Sequence, residues 1–101
     1  SGLERFFARE LADVIFVPGE WQYEPFTLHT PSGGYTPDFF GPLARGGKLA
    51  VIEVKGWSKS IERSKVKFRA AVAQHPWLSF CWLQRDRHGE WAEQWYLREQ
   101  Q

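Results

Sequence analysis

The chain has 101 residues, of which 43% are hydrophobic and 25% are charged, and its formal net charge is +1. This composition is typical of a globular protein, and the length predicts one domain over residues 1–101. No apolar run approaches the ~20 residues of a membrane helix, and no signal-peptide pattern opens the chain. We therefore expect an intracellular, cytoplasmic protein with no membrane partner. The lone Cys81 lies in an apolar run, which excludes a disulfide framework and predicts a buried thiol.

Positive charge is concentrated in one part of the sequence. Residues 45–69 carry eight Lys or Arg and two Glu, a net charge of +6, whereas the rest of the chain has five basic and ten acidic residues. A basic segment of this kind suits a phosphodiester substrate, although a solvated helix face gives the same pattern.

The first predicted element is a helix over residues 1–12, in which Leu3, Phe7 and Leu11 recur at helical spacing. The opening Ser-Gly-Leu-Glu fits a capping box, with Glu4 bonding back to the cap. Glu4 and Glu10 both also lie towards the apolar side, where either could face the sheet as a metal ligand. Periodicity does not choose between them.

Short extended segments follow the helix. The apolar residues 13–17 predict a passage into a short strand or extended stretch, which ends at Pro18. Residues 20–29 alternate between apolar and polar side chains and predict a strand that Pro25 interrupts. Residues 30–34 predict a turn.

A central strand over residues 49–57 carries two unexpected charges. Its apolar residues occupy both faces, which is typical of an inner strand, yet Glu53 and Lys55 enter it on the same face. Burying such groups without partners costs several kcal/mol, so the pair requires a reason. Asp38 follows Pro37 at the start of a neighbouring strand, where it can join them. The alternative is a solvent-facing ion pair worth about 0–1 kcal/mol, with Asp38 beginning a turn.

A glycine-rich hairpin tip is predicted over residues 41–48, between the two strands. It bears Arg45 and Lys48, which either contact a phosphate backbone or belong to an ordinary loop. The remaining predicted elements are a helix, an apolar strand, a polar turn and a final strand for which a short helix is the alternative: residues 58–74, 78–84, 85–89 and 91–97.

Asp38 after Pro37, followed on the next strand by Glu53-x-Lys55, resembles the PD-(D/E)xK nuclease superfamily. The residue types suit its chemistry, because two carboxylates can hold a hard cation such as Mg²⁺ through oxygen. A lysine beside them can orient or deprotonate the attacking water, or stabilise charge on the phosphate. The expected fold is α/β, with a restriction-endonuclease-like core in which helices flank a mixed central sheet.

A combination of short motifs up to about residue 83 narrows the resemblance. The motifs are Ser1-Gly2-Leu3-Glu4, Tyr35-Thr36-Pro37-Asp38-Phe39, Glu53-Val54-Lys55-Gly56, Arg63 with Lys65, and Gln74-His75-Pro76. Together they look like the phage endonuclease I family, whose members resolve Holliday junctions in branched DNA. The hairpin between Asp38 and Glu53 is longer than the family pattern suggests.

The resemblance implies particular roles for these residues. It implies that Glu4, Asp38, Glu53 and Lys55 are catalytic, and that Mg²⁺, or Mn²⁺ in its place, is held by Glu4, Asp38, Glu53 and Val54. It favours Glu4 over Glu10 by analogy alone. It also implies a homodimer that exchanges its N-terminal segment, so that Glu4 acts in cis or in trans.

DNA contacts are expected from the basic segment and from the tryptophan beyond Lys55. The candidates are Arg45, Lys48, Trp57, Lys59, Arg63, Lys65 and Lys67. Two other functions compete with junction resolution: a sequence-specific or transposon-end nuclease of the same superfamily, and a non-catalytic DNA-binding module.

Overall fold

The computed structural model describes residues 2–99, which form an α/β fold with a mixed sheet. The helices of this part of the chain are Gly2–Glu10 (α1), Ala12–Ile15 (α2) and Ile61–Gln74 (α3). Its strands are Gln22–Tyr23 (β1), Leu28–Thr30 (β2), Gly33–Tyr35 (β3), Phe39–Pro42 (β4), Leu49–Gly56 (β5), Ser79–Arg85 (β6) and Trp91–Tyr96 (β7).

The main sheet has the strand order β1-β4-β5-β6-β7, and β2 and β3 form a separate hairpin. β5 and β6 are parallel, whereas the other neighbours in the main sheet are antiparallel. Parallel strands need a crossover connection, and α3 supplies it. β5 is an inner strand, as its apolar residues on both faces predicted.

Alternation along β5 divides the interior into two cores. Ala50, Ile52 and Val54 pack on the side of α1 and α2, whereas Val51 packs on the side of α3, against a cluster that includes Phe68. Side chains two apart in a strand share a face. Glu53 and Lys55 therefore extend the α3 side of the sheet.

The N-terminal region differs from the sequence prediction. The chain does not become extended at residue 13, because α2 follows α1 almost at once. The backbone N–H groups of Val14 and Ile15 both donate to the Leu11 carbonyl at 3.0 Å. Only Phe16 then makes an isolated bridge, to Leu43. The predicted capping role of Ser1 lies outside the described residues.

Strand boundaries also move where tertiary pairing decides them. The predicted strand over residues 20–29 is two strands, β1 on the main sheet and β2 in the hairpin, and the break includes Pro25 as expected. Residues 33–34, predicted as part of a turn, belong to β3. Gly41 and Pro42 belong to β4, because they pair with β5, so the connecting loop is residues 43–48.

The later elements agree closely with the prediction. α3 begins at Ile61, three residues after the predicted start, and β6 is shifted by one residue. The final element is a strand, not a helix, because β7 pairs along its length with β6. Cys81 is a buried free thiol, as predicted. Within residues 2–99, we find no helix with the length and apolar character needed to cross a membrane.

Gly41 gives a test of the packing between β4 and the chain before β1. A Cβ at this position would lie 2.8 Å from the Glu20 carbonyl oxygen and 3.0 Å from the Trp21 Cα, both backbone atoms. We expect Gly41→Ala to lower the free energy of unfolding by about 1–3 kcal/mol, measured by urea denaturation. Gly2→Ala is the control, because a Cβ there meets nothing within 4 Å. An equal decrease in the two variants would contradict this role for Gly41.

Candidate active site

The candidate site lies where the β4–β5 ladder ends. The last pair in the register is Phe39 with Ile52, although β5 continues to Gly56. Pro37 has no N–H to extend the pairing. The backbone N–H of Val54 instead donates to Oδ2 of Asp38 at 2.9 Å. A side chain thus takes the place of a strand partner.

This arrangement puts Asp38 beside Glu53. Asp38 lies in a bend directly before Phe39, whose strand partner is Ile52, and its carboxyl group interacts with that of Glu53. Both side chains are buried, with 6% and 5% of their residue surfaces exposed.

Glu53 is held through both of its carboxylate oxygens. The Tyr35 hydroxyl donates to Oε1 at 2.5 Å, and Nζ of Lys55 lies 3.3 Å from Oε2. The Lys55 side chain remains 32% exposed, whereas that of Glu53 is 7% exposed. The alternative of a solvent-facing ion pair therefore does not describe Glu53.

Glu4 reaches the same place from α1. Tyr23 donates a hydrogen bond to its Oε2 at 2.9 Å, and Glu4 also shares a side-chain hydrogen bond with Asp38. Glu10 is exposed and lies 3.8 Å from Arg9 instead. Of the two glutamates that periodicity left open, the structure brings Glu4 to the cluster, within a single chain.

The carboxyl groups strongly affect one another. Burial first, then the charge of Glu53 and then Glu4 raise the pKa of Asp38 to about 8, although the hydrogen bond from the Val54 N–H lowers it. Burial also raises the pKa of Glu53, although hydrogen bonds from Tyr35 and the nearby Lys55 oppose this. At neutral pH, Asp38 therefore keeps a proton that it can donate to its neighbours.

The donor set suits a hard divalent cation. Carboxylate and carbonyl oxygens are the ligands that Mg²⁺ and Mn²⁺ prefer. In a strand, the N–H and C=O of one residue point to the same side, so the Val54 carbonyl also faces the space beyond the end of β4. Lys55 places a positive charge beside Glu53, and a cation at the cluster would offset more of the negative charge of the carboxylates.

The carboxyl groups are not already spaced around an ion. Among residues 2–99, no group of three or more His, Cys, Asp or Glu side chains has the geometry to hold a metal. The acidic groups are instead joined by hydrogen bonds through Asp38. A cation would compete with the Asp38 proton for the same oxygens.

Most candidate DNA contacts lie at this end of the molecule. Trp57 follows the end of β5 and is 54% exposed. Three exposed cations come after it: Lys59 in the connection to α3, and Arg63 and Lys67 on the helix itself. They form a basic surface, which we call the α3 surface.

Lys65 packs over the strand next to β5. Its Nζ is 5.7 Å from the ring centroid of Trp82 and 3.8 Å from Oε1 of Glu62. Trp82 is the partner of Glu53 in the β5–β6 register. Lys65 therefore lies above the strand that adjoins Glu53.

Arg45 and Lys48 are not brought to the acidic cluster. Their loop precedes β5, whereas Lys55 lies near its other end, six residues beyond Leu49 and therefore ~20 Å away. They line a separate, largely apolar cavity of about 570 Å³ together with Leu43 and Trp95. Any contact that they make with DNA would be remote from the cluster in the same chain.

Sequence reasoning missed three residues at this end of the sheet. Tyr23 and Tyr35 each donate to a carboxylate, but their partners lie 19 and 18 residues away, so no local pattern reveals them. Arg85 pairs with Gly56 and places its guanidinium 5.8 Å from the ring centroid of Trp91. The polar composition of its segment indicated only a turn.

Comparison of the chain with family models, with curated proteins and with solved structures gave no match. The arrangement of the site is therefore the main basis for a functional proposal.

The raised pKa of Asp38 predicts how stability depends on pH. Asp38 stays protonated up to about pH 8 in the folded chain, against an ordinary value of 3.8, so unfolding releases a proton between these values. The free energy of unfolding should fall as pH rises through this range, by at most about 1.4 kcal/mol per pH unit for one proton. The raised pKa of Glu53 acts in the same direction.

Asp38→Asn should reduce this slope, because asparagine has no proton to lose. Urea denaturation of both proteins with a chelator, at about pH 5, 6.5 and 8, measures the difference. A difference in stability between them that does not change with pH would contradict the assignment.

Proposed function

We propose that this chain is a metal-dependent endonuclease of the PD-(D/E)xK type, which hydrolyses phosphodiester bonds in DNA. The observation that carries the proposal is the placement of Asp38 beside Glu53 at the end of the β4–β5 ladder, with Lys55 in contact with Glu53. Buried acidic groups with strongly shifted pKa values are costly to a fold and are typical of functional sites.

The proposed cofactor is Mg²⁺, for which Mn²⁺ can substitute. The carboxylates of Glu4, Asp38 and Glu53 and the carbonyl of Val54 would hold it. When bound, such a cation lowers the pKa of coordinated water and offsets the charge of a phosphate. Asp38 would lose its proton as part of binding, so affinity for the ion should rise with pH.

Lys55 has a different role from the carboxylates. Its amine contacts Glu53 but is partly exposed, so it can reach both the buried cluster and a bound phosphodiester. There it would orient the attacking water or stabilise the negative charge that develops on the phosphate.

Branched DNA is the proposed substrate, since the motifs around Glu4, Asp38 and Glu53 resemble those of the phage endonuclease I family. A homodimer would present two such sites to two opposed strands, as a four-way junction requires. In the single chain, Glu4 already contacts Asp38, so exchange of α1 between two copies would put the partner's glutamate into the equivalent position.

Cleavage of a four-way junction tests the catalytic roles. With Mg²⁺, we expect the wild-type protein to cut the junction, and we expect Asp38→Asn, Glu53→Gln and Lys55→Ala each to lower the rate at least ~100-fold. Glu90→Gln is a matched control, because Glu90 is an exposed acid in the β6–β7 turn. A Lys55→Ala variant that cuts at the wild-type rate would refute the role of that lysine.

The same assay separates the competing functions. Linear duplexes of matched sequence are compared with the junction. A preference for linear DNA would favour a sequence-specific or transposon-end nuclease. Binding without cleavage by the wild-type protein in Mg²⁺ or Mn²⁺ would favour a non-catalytic module.

The path of the DNA can be tested through the salt dependence of binding. In the Glu53→Gln background, Arg63→Gln with Lys67→Gln removes two cations of the α3 surface. We expect the slope of log affinity against log salt to become shallower by ~0.9 for each phosphate that the protein no longer neutralises. Arg45→Gln with Lys48→Gln is the matched pair at the remote loop and should change the slope less. A larger change from the loop pair would reverse this prediction.

A further inference from the structure

We infer that Tyr35 is a positioning residue, whose hydroxyl fixes the orientation of the Glu53 carboxylate at the proposed cation site. The inference rests on the proposed function, and it assigns a role to a residue that touches neither the cation nor the substrate.

The hydrogen bond is short, buried and specific to one oxygen. Tyr35 is 6% exposed, and its hydroxyl lies 2.5 Å from Oε1 of Glu53, whereas Lys55 approaches Oε2. With a different partner on each oxygen, the carboxylate cannot rotate without breaking one of these interactions. Water cannot readily replace the tyrosine, because the site is enclosed.

Tyr35 is itself held firmly from two sides. It is the last residue of β3 and pairs with Leu28 of β2. Its ring packs edge-on against Phe68 of α3, with a centroid distance of 6.0 Å and an interplanar angle of 82°. Just beyond it, the hydroxyls of Thr27 and Thr36 lie 2.7 Å apart and join the two ends of the hairpin. The β2–β3 hairpin and α3 thus act as a support for one hydroxyl group.

Tyr23 provides an internal comparison. It also donates to an acidic residue, with 2.9 Å between its hydroxyl and Oε2 of Glu4, but it is 48% exposed. Solvent can take over its hydrogen bond when the hydroxyl is removed. Removal of the Tyr35 hydroxyl should therefore weaken cation binding more than removal of the Tyr23 hydroxyl.

The experiment measures Mn²⁺ binding by calorimetry on the DNA-free protein, so that the readout does not depend on cleavage. Substitution of a residue that hydrogen-bonds to a metal ligand typically lowers the affinity for the ion ~10–100-fold. We therefore expect Tyr35→Phe to weaken Mn²⁺ binding at least ~10-fold. Tyr23→Phe should weaken it less. Tyr96→Phe is the matched control, because its ring packs on the same Phe68 at 6.1 Å, and among residues 2–99 its hydroxyl does not bond to a carboxylate. It should leave the affinity within ~2-fold of wild type.

The outcomes distinguish this inference from the proposed function. If the wild-type protein shows no saturable Mn²⁺ binding, the proposed metal site is wrong. If it binds Mn²⁺ and Tyr35→Phe binds equally well, the proposed function stands and the positioning role is refuted. A purely structural role predicts lower thermal stability with unchanged affinity in the folded variant.

A second variant covers the case in which Tyr35→Phe does not fold. Incorporation of 3-fluorotyrosine at position 35 keeps the ring and the hydroxyl but strengthens the donor. It should change the Mn²⁺ affinity relative to tyrosine, because more charge is drawn from the Glu53 oxygen. An unchanged affinity would overturn the inference.

Discussion

The hydrogen bond from the Val54 N–H to Asp38 is the contact on which the candidate site depends. It forms because β4 stops pairing at Phe39 while β5 continues, so that a buried backbone donor needs another acceptor. A carboxylate that serves as this acceptor must lie beside Val54 and therefore close to its neighbour Glu53. The same hydrogen bond therefore satisfies the Val54 N–H and brings Asp38 to Glu53. If β4 were longer, its backbone would accept from Val54, and Asp38 would not be held beside Glu53.

The fold tolerates this acidic cluster through contacts from several elements. Tyr35 comes from the hairpin, Lys55 from β5 itself, and Tyr23 from the short strand β1. The proton on Asp38 removes one negative charge at neutral pH. These contacts hold the groups together, but they leave burial and like charge as the dominant influences on the Asp38 pKa. A core built only for stability would place apolar residues here.

The end of β5 also organises the surface around the cluster. The chain leaves Lys55 and passes through exposed Trp57 and Lys59 into α3, so sequence continuity alone keeps several cations near the carboxyl groups. The remote loop with Arg45 and Lys48 enters β5 from its other end. The basic segment is continuous in sequence, but β5 separates its two parts in space. Only the part after β5 borders the candidate site.

The sequence by itself determined the inner strand, the shared face of Glu53 and Lys55, the long second helix and the apolar strand that follows it. These features follow from the spacing of neighbouring side chains, which the backbone of a helix or strand repeats locally. Tertiary structure decided the split of the early strand, the choice of Glu4 over Glu10, the tyrosine partners and the remoteness of Arg45. Each of these features depends on how the strands pair, or on which helix, strand or loop lies next to the end of another. Such contacts join residues far apart in the chain, and no local period encodes them.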